Sequence, residues 1–235
     1  MNEKLTITRQ NIQDLQPVAR GMADAYMTAF AGPPWYEVTR CIEQQCPQTY
    51  SSNAIGDDCE SCGQVLVMPA YDQSQLQEGW RSIVANEDAM IEVDLSRTGV
   101  PLRATIARPT DATELYTRKY SDVPQMQSWI NQTLPTGEFV WIEDTFANLA
   151  ISPRGNLNGR GRTLGAIAMR YGAMQIATRT KSPAIIRATG RDAGDRTNLY
   201  IGTESFDASV LSRISIVSAV PDARSVLVVA PQKDQ

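Results

Sequence analysis

The stretch from residue 139 to residue 188 most constrains how this chain of 235 residues can fold. Phe139 to Ser152 is a long, mostly apolar run that predicts a strand, and Gly161 to Arg179 carries apolar residues at helical spacing. Ala184 to Ala188 is short and apolar and predicts a second, buried strand. The order strand, loop, helix, strand predicts an α/β or α+β protein, with helices packed on a central sheet.

The rest of the chain alternates short predicted strands with amphipathic helices. Strands at Ile91–Ser96 and Pro101–Ala107 are expected to form a hairpin through Thr98 and Gly99. The other predicted elements are a strand at residues 5–7, helices at about 12–30, 74–90, 111–120 and 125–134, and closing strands at 213–219 and 225–230.

The loop over residues 151–165 predicts an anion site. Gly159 and Gly161 allow a tight turn and bring backbone N–H groups close to a ligand, while a helix starting near Gly161 offers its positive dipole end. Arg154, Arg160 and Arg162 add positive charge. The loop has neither the Gly-Lys-Ser/Thr ending of a nucleoside triphosphate loop nor the glycine spacing of a dinucleotide site, so both ligands are disfavoured. A loop that only turns the chain is the alternative.

Charge is unevenly placed along the chain. The 22 Lys and Arg against 26 Asp and Glu give a formal net charge of −4. Residues 1–152 hold 10 basic and 20 acidic residues, a balance of −10, whereas residues 153–235 hold 12 and 6, a balance of +6. This pattern favours an anionic ligand for the second part, a cationic substrate for the first, and no nonspecific nucleic-acid binding. Solvated helix faces are the simpler alternative.

The chain contains no histidine. Ser-His-Asp and Cys-His nucleophilic machinery, a histidine-ligated catalytic zinc and a histidine general base are therefore excluded. Acid–base chemistry must use Glu, Asp, Tyr, Cys, a chain terminus or water.

All four cysteines lie in a polar segment at residues 38–70, which we expect to be an inserted module. The spacing Cys41-x4-Cys46-x12-Cys59-x2-Cys62, with Gly63 after the last cysteine, predicts a closed structural zinc site rather than a catalytic one. Two disulfides, or a redox pair of Cys59 and Cys62, are the alternatives.

The run from Asn148 to Gly155, the segment Asn156–Gly161 and the apolar helix from Leu164 together resemble the central motif of the GCN5-related N-acetyltransferases (GNAT). The family pattern is Gln/Arg-x-x-Gly-x-Gly/Ala. Gly159 and Gly161 match both glycines, whereas Asn156 stands where Gln or Arg is usual, and two or three extra residues precede the motif. Ala25–Glu37 and the block from Asn198 through Tyr200 to Phe206 resemble further parts of the family.

The resemblance implies a mixed central β-sheet flanked by helices over residues 1–235, with the cysteine-rich insert at 38–70. It also implies an N-acetyltransferase that moves an acetyl group from acetyl-CoA to a primary amine by direct attack. The cofactor's pyrophosphate would rest on the N–H groups of residues 157–162, and its pantetheine would pair with residues 149–151. The implied cofactor-binding residues are Leu149, Ala150, Ile151, Asn156, Leu157, Asn158, Gly159, Arg160, Gly161, Arg162 and Asn198.

The amine is protonated in solution and must lose a proton before it attacks. Glu143 and Asp144, just before the implied cofactor strand, are the candidates for this step, directly or through water. Tyr200 resembles the tyrosine that protonates the departing thiolate in the family. The alternatives are surface carboxylates at a strand edge and an ordinary amphipathic tyrosine.

The acidic residues of the first part predict a cationic acceptor such as a polyamine, an aminoglycoside, a lysine side chain or a protein N-terminus. We expect no nucleic-acid or membrane partner, and a homodimer is possible. The cytoplasm is the expected location, because Met1–Thr6 lacks the features of a signal peptide. The competing function is a non-catalytic acyl-CoA-binding or protein-interaction module that uses the zinc insert. A zinc-ribbon regulatory protein with an incidental glycine loop is a third.

Overall fold

The computed structural model describes residues 3–31, 38–41, 43, 49–50, 57–86, 88–148, 176–188, 214–217 and 225–230. Its strands are β1 (Glu3–Ile7), β2 (Thr39–Cys41), β3 (Thr49–Tyr50), β4 (Leu66–Pro69), β5 (Met90–Leu95), β6 (Pro101–Thr110), β7 (Phe139–Ala147), β8 (Ala184–Ala188), β9 (Ile214–Val217) and β10 (Ser225–Val229). Its helices are a 3-10 helix (Arg9–Leu15), α1 (Gln16–Ala31), α2 (Gln73–Asn86), α3 (Ala112–Lys119) and α4 (Pro124–Thr133), and residues 176–180 are also helical.

In the described part of the chain, seven strands form one sheet in the order β1-β5-β6-β7-β8-β10-β9. Every neighbouring pair is antiparallel except β7 and β8, which are parallel. A parallel pair needs a crossover connection, and the helical residues 176–180 lie on that connection just before β8. The predicted fold class, a mixed sheet flanked by helices, is confirmed.

Most predicted elements are present, with changes at their ends. The hairpin is formed by β5 and β6 as expected, with Gly99 in the left-handed region at φ 76°. The helix predicted to end at residue 90 stops at Asn86, because Met90 already pairs with Ala107 as the first residue of β5. The helix expected from about residue 12 is preceded by a 3-10 helix that is kinked at Asn11, and the α-helix begins at Gln16. Residues 149–152 of the predicted long strand and 161–175 of the predicted helix lie outside the described residues.

Alternation along the strands gives the sheet two different faces. On one face, Ile91, Val93 and Ile106 pack with residues of α1 and α2. Farther along the same face, Phe139 and Trp141 pack with α3 and α4. The opposite face carries Val140, Ile142, Ala184 and Ile186, which pack on Ile176 and Ala177 of the helical segment. The four helices α1–α4 therefore share one face, and the crossover helix covers the other.

A polar row crosses the face that carries the crossover helix. Thr6 donates a hydrogen bond of 3.1 Å to Glu92, and the hydroxyls of Thr105 and Thr145 lie 3.0 Å apart. Arg179 Nε lies 2.9 Å from Glu92 Oε1, and Glu92 is buried. Because a buried carboxylate needs a charged partner, this ion pair fixes the end of the crossover helix against the sheet.

A second, three-stranded antiparallel sheet in the order β3-β2-β4 lies between α1 and α2 in the chain. An isolated antiparallel β-bridge joins Asp58 to Val65, the residue before β4. The Ala70 N–H donates a hydrogen bond of 2.8 Å to the Val38 carbonyl, so the two ends of this segment meet.

Within the described ranges, no helix combines the length and the apolar character that crossing a membrane requires.

Candidate active site

The strands β7 and β8 separate partway along their length. They pair at Val140 with Ala184, at Trp141 with Ile185 and at Ile142 with Ile186, and their pairing ends there. Both strands continue, β7 to Ala147 and β8 to Ala188. An opening between two parallel strands exposes backbone N–H and C=O groups that an extended ligand can pair with.

A β-bulge lies where the two strands separate. Ile106 of β6 pairs with Asp144 and Ala107 pairs with Ile142, which leaves Glu143 without a partner on β6. A bulge interrupts the alternation of side chains, so two consecutive residues can point to the same face. Glu143 contacts residues of α3 and Asp144 contacts α1, which shows that both face the side of the four helices.

Asp144 is held by two hydrogen bonds. The Tyr26 hydroxyl donates to its carboxylate from α1, and the Thr145 N–H donates to Oδ1 over 2.9 Å. Burial raises the pKa of Asp144 to about 6, although both hydrogen bonds and the nearby Lys119 ammonium act in the opposite direction. A carboxylate with this pKa is mostly ionised at pH 7 and still basic enough to accept a proton.

Tyr26 is the centre of an aromatic cluster beside Asp144. Its ring centroid lies 4.5 Å from that of Phe30, 5.0 Å from Tyr71 and 5.0 Å from Phe146. Trp80 stacks on Phe146 with a centroid distance of 5.7 Å. Burial and the charge of Asp144 raise the pKa of the Tyr26 hydroxyl, so it stays protonated and acts as a donor to the carboxylate.

Glu143 has a different environment from Asp144. Arg118 Nη1 and Lys119 Nζ both contact its carboxylate, and Arg108 Nε lies 3.7 Å from Oε1. Only 9% of the Glu143 side chain is exposed. Burial alone would raise the pKa of Glu143, but Lys119 and Arg118 hold it below its ordinary value. Glu143 is therefore an ion-pair partner, and its proton affinity is low.

Three of the four predicted metal ligands are brought together. The sulfur atoms of Cys41, Cys59 and Cys62 all lie within 4.8 Å of one another, and the Cys41 and Cys62 sulfurs are 3.3 Å apart without a disulfide. Gly63 has φ 70° and donates to the Cys59 carbonyl over 2.8 Å, which makes the tight turn that the Cys-x2-Cys spacing predicts. This group of thiols could hold a metal ion.

Several predicted site residues lie outside the described part of the chain. They are Cys46, the cofactor-binding residues 149–151, 156–162 and Asn198, and Tyr200. Glu143 and Asp144 are described, and the bulge places them side by side.

The residues that surround the two carboxylates carry no sequence signal of this role. Tyr26 has helical spacing with Met22 and Ala29, which is typical of a core residue. Arg118 and Lys119 end α3 as the basic residues that commonly close a helix. A sequence signal was present only for Asp144 and Glu143, as adjacent carboxylates on a strongly apolar strand.

Comparison with solved structures finds similar chains, among them the following two. One is described as histone acetyltransferase HPA2 and related acetyltransferase from Corynebacterium glutamicum, with 11% identity, a TM-score of 0.46, and coverage of 99% of this chain and 98% of that chain. The other is a mutant of the BH1408 protein from Bacillus halodurans, with 16% identity, a TM-score of 0.36, and coverage of 88% and 93%. No protein-family model and no curated protein matches the chain.

Proposed function

We propose that the protein is an acetyl-CoA-dependent N-acetyltransferase that acts on a primary amine by direct attack. The observation that carries this proposal is the separation of β7 and β8 after Ile142 and Ile186, with Asp144 next to that point. An opening between parallel strands suits an extended ligand, and a carboxylate with a pKa near neutrality suits an ammonium that must lose a proton.

Acetyl-CoA supplies an acyl thioester, and the chain has features that suit its anionic part. In the proposal the pantetheine pairs with residues 149–151, which directly follow β7 and Asn148. The pyrophosphate rests on the loop at residues 156–162, with Asn198 as a further contact. Support comes from the eight Arg and one Lys between Arg154 and Arg196, against two Asp in the same segment.

Asp144 is the better general base of the two candidates. Its raised pKa means that it can take the proton of the amine, directly or through water, at neutral pH. Glu143 is held ionised by Arg118 and Lys119, so we assign it the role of positioning these cations at the bulge. Tyr200 is proposed as the acid that returns a proton to the departing thiolate.

Zinc fits the sulfur cluster of the insert. A tetrahedron with zinc–sulfur bonds of about 2.3 Å has edges of about 3.8 Å, comparable with the sulfur separations of Cys41, Cys59 and Cys62. Cys46 would be the fourth ligand, leaving no open position, so the metal is structural. A site of four thiolates belongs in a reducing compartment, so the proposal includes a cytoplasmic location.

Calorimetric titration with acetyl-CoA and with CoA, together with zinc quantification, tests the proposal. We expect micromolar binding of both ligands, about one zinc per chain, and release of free CoA thiol when a suitable amine is added. Gly159→Val should weaken acetyl-CoA binding at least tenfold, because a side chain would fill the space next to the loop's N–H groups. Gly79→Val on α2, where an added Cβ meets nothing within 4 Å, is the control.

The outcomes separate the candidate functions. Absence of acetyl-CoA binding would reject the transferase. Binding without CoA release from any amine would favour the acyl-CoA-binding module.

A further inference from the structure

We propose that the acceptor carries a carboxylate beside its reacting amine, and that Arg118 with Lys119 and Arg108 holds that carboxylate while Asp144 receives the amine. This inference rests on the proposed function and names its substrate class. An amino acid is the simplest molecule with this chemistry.

The charges around the bulge are separated into a positive and a negative part. Arg108, Arg118 and Lys119 contribute three positive charges around Glu143. Glu114, which accepts a hydrogen bond of 3.1 Å from Thr110, is the second carboxylate that acts on Arg108. These five groups have a net charge of +1, and Asp144 next to them has −1 when ionised. A site with one excess charge of each sign matches a zwitterion.

The unused edge of Arg118 is the sharpest indication of a ligand. Arg118 binds Glu143 through Nη1, whereas its Nε and Nη2 atoms are buried and have no hydrogen-bond partner among the described residues. Nε and Nη2 lie on the same side of a guanidinium, and their two N–H groups form the fork that binds a carboxylate in a bidentate manner. Leaving such donors buried without an acceptor is costly, and a ligand carboxylate would satisfy both.

The bulge brings the two charge sites within reach of one small molecule. Glu143 and Asp144 are consecutive residues on the same face, with Cα atoms about 3.8 Å apart as in any trans peptide. Lys119 contacts Glu143 and also lowers the pKa of Asp144, so it lies near both carboxylates. The groups assigned to the amine and to the carboxylate therefore act at neighbouring residues on one face of β7.

The same cations argue against a polyamine. An acceptor with a second ammonium in place of the carboxylate would bring a positive charge next to Arg118 and Lys119. The acidic character of residues 1–152 attracts cations in general, whereas this local cluster selects among amines.

Matched acceptors test the inference with acetyl-CoA present. L-phenylalanine is compared with phenylalaninamide and with phenethylamine, and L-lysine is compared with cadaverine. For each compound, kcat/KM is measured from the release of CoA. The amide's amine is less basic and more often unprotonated at pH 7.5, so a preference for the acid cannot arise from amine reactivity. We expect at least one acid to be preferred at least tenfold over its matched amine or amide.

Substitutions of Arg118 and Lys119 test whether these cations cause the preference for acceptors with a carboxylate. Arg118→Gln should reduce the preference for the acid to less than threefold, with its main effect on KM. Lys119→Gln, at a more exposed position, gives the same test if Arg118→Gln does not fold. Arg81→Gln is the matched control, because Arg81 pairs only with the exposed Glu78 in the described residues and lies on α2.

Binding of the same acceptors to the CoA-loaded protein gives a second readout that does not need turnover. Equal kcat/KM and equal affinity for each acid and its matched compound without a carboxylate would overturn the inference while leaving the transferase intact. A preference that survives in both Arg118→Gln and Lys119→Gln would overturn it as well. Loss of acetyl-CoA binding in the unmodified protein would instead reject the proposed function itself.

Discussion

The Tyr26 hydroxyl of α1 donates a hydrogen bond to the Asp144 carboxylate of β7. The bond joins the helix before the cysteine insert to the strand at which the sheet opens. Tyr26 also contacts Tyr71, the second residue after β4. The residue that directly follows the insert is thus in contact with the residue that orients the proposed base.

Tyr26→Phe tests this hydrogen bond. The bond lowers the pKa of Asp144, so its loss should move that pKa above its present value of about 6. The acidic limb of the kcat/KM profile, which falls as Asp144 becomes protonated, should then move to higher pH. Tyr116→Phe, whose ring packs with the α3 and α4 core, is the control. An unshifted limb in Tyr26→Phe would show that Asp144 is not the titrating base.

Asp144→Asn should lower kcat by at least a hundredfold, because the general base is lost. It should also stabilise the protein at high pH. A raised folded pKa means that the protonated form favours the fold, and this contribution is complete below the ordinary value of 3.8 and lost as pH rises through about 6. Urea unfolding should therefore show a gain of about 3 kcal/mol at pH 8. At pH 3.5 the variant and the unmodified protein should unfold alike, and a gain that does not depend on pH would contradict the assignment.

Glu143→Gln should destabilise the fold by about 3 kcal/mol at pH 7, because it leaves three partly buried cations without their shared carboxylate. A lowered folded pKa gives stability that is present above the ordinary value of 4.5 and is lost as pH falls through the folded pKa. The difference measured by urea unfolding should thus shrink below pH 4.5. Glu78→Gln, in an exposed pair with Arg81, should change stability by less than about 0.5 kcal/mol.

Cys59→Ser should remove the metal, since it deletes one thiolate from the cluster. Metal content by mass spectrometry should fall from about one zinc per chain to near zero, and thermal stability should fall with it. Ser61→Ala, between two predicted ligands, should retain the metal. Retention of zinc by Cys59→Ser, or full stability without metal, would exclude this site.

The periodic parts of the fold were predictable from the sequence, and the site was predictable only in part. Strand and helix positions follow from the spacing of apolar residues, as for β8 at Ala184–Ala188. The bulge at Glu143 depends on the register between β6 and β7, which no local pattern in β7 specifies. The different roles of Glu143 and Asp144 follow from Arg118 and Tyr26, which reach them from helices far away in the sequence.

The hydrogen bond between Val38 and Ala70 closes the cysteine segment at its two ends. The cysteine segment leaves and rejoins the main body at neighbouring backbone positions. We therefore expect that a short turn could replace residues 39–69 and that the segment could be gained, lost or exchanged as a cassette. Tyr71, just beyond the junction, would stay in the main body and keep its place beside Tyr26.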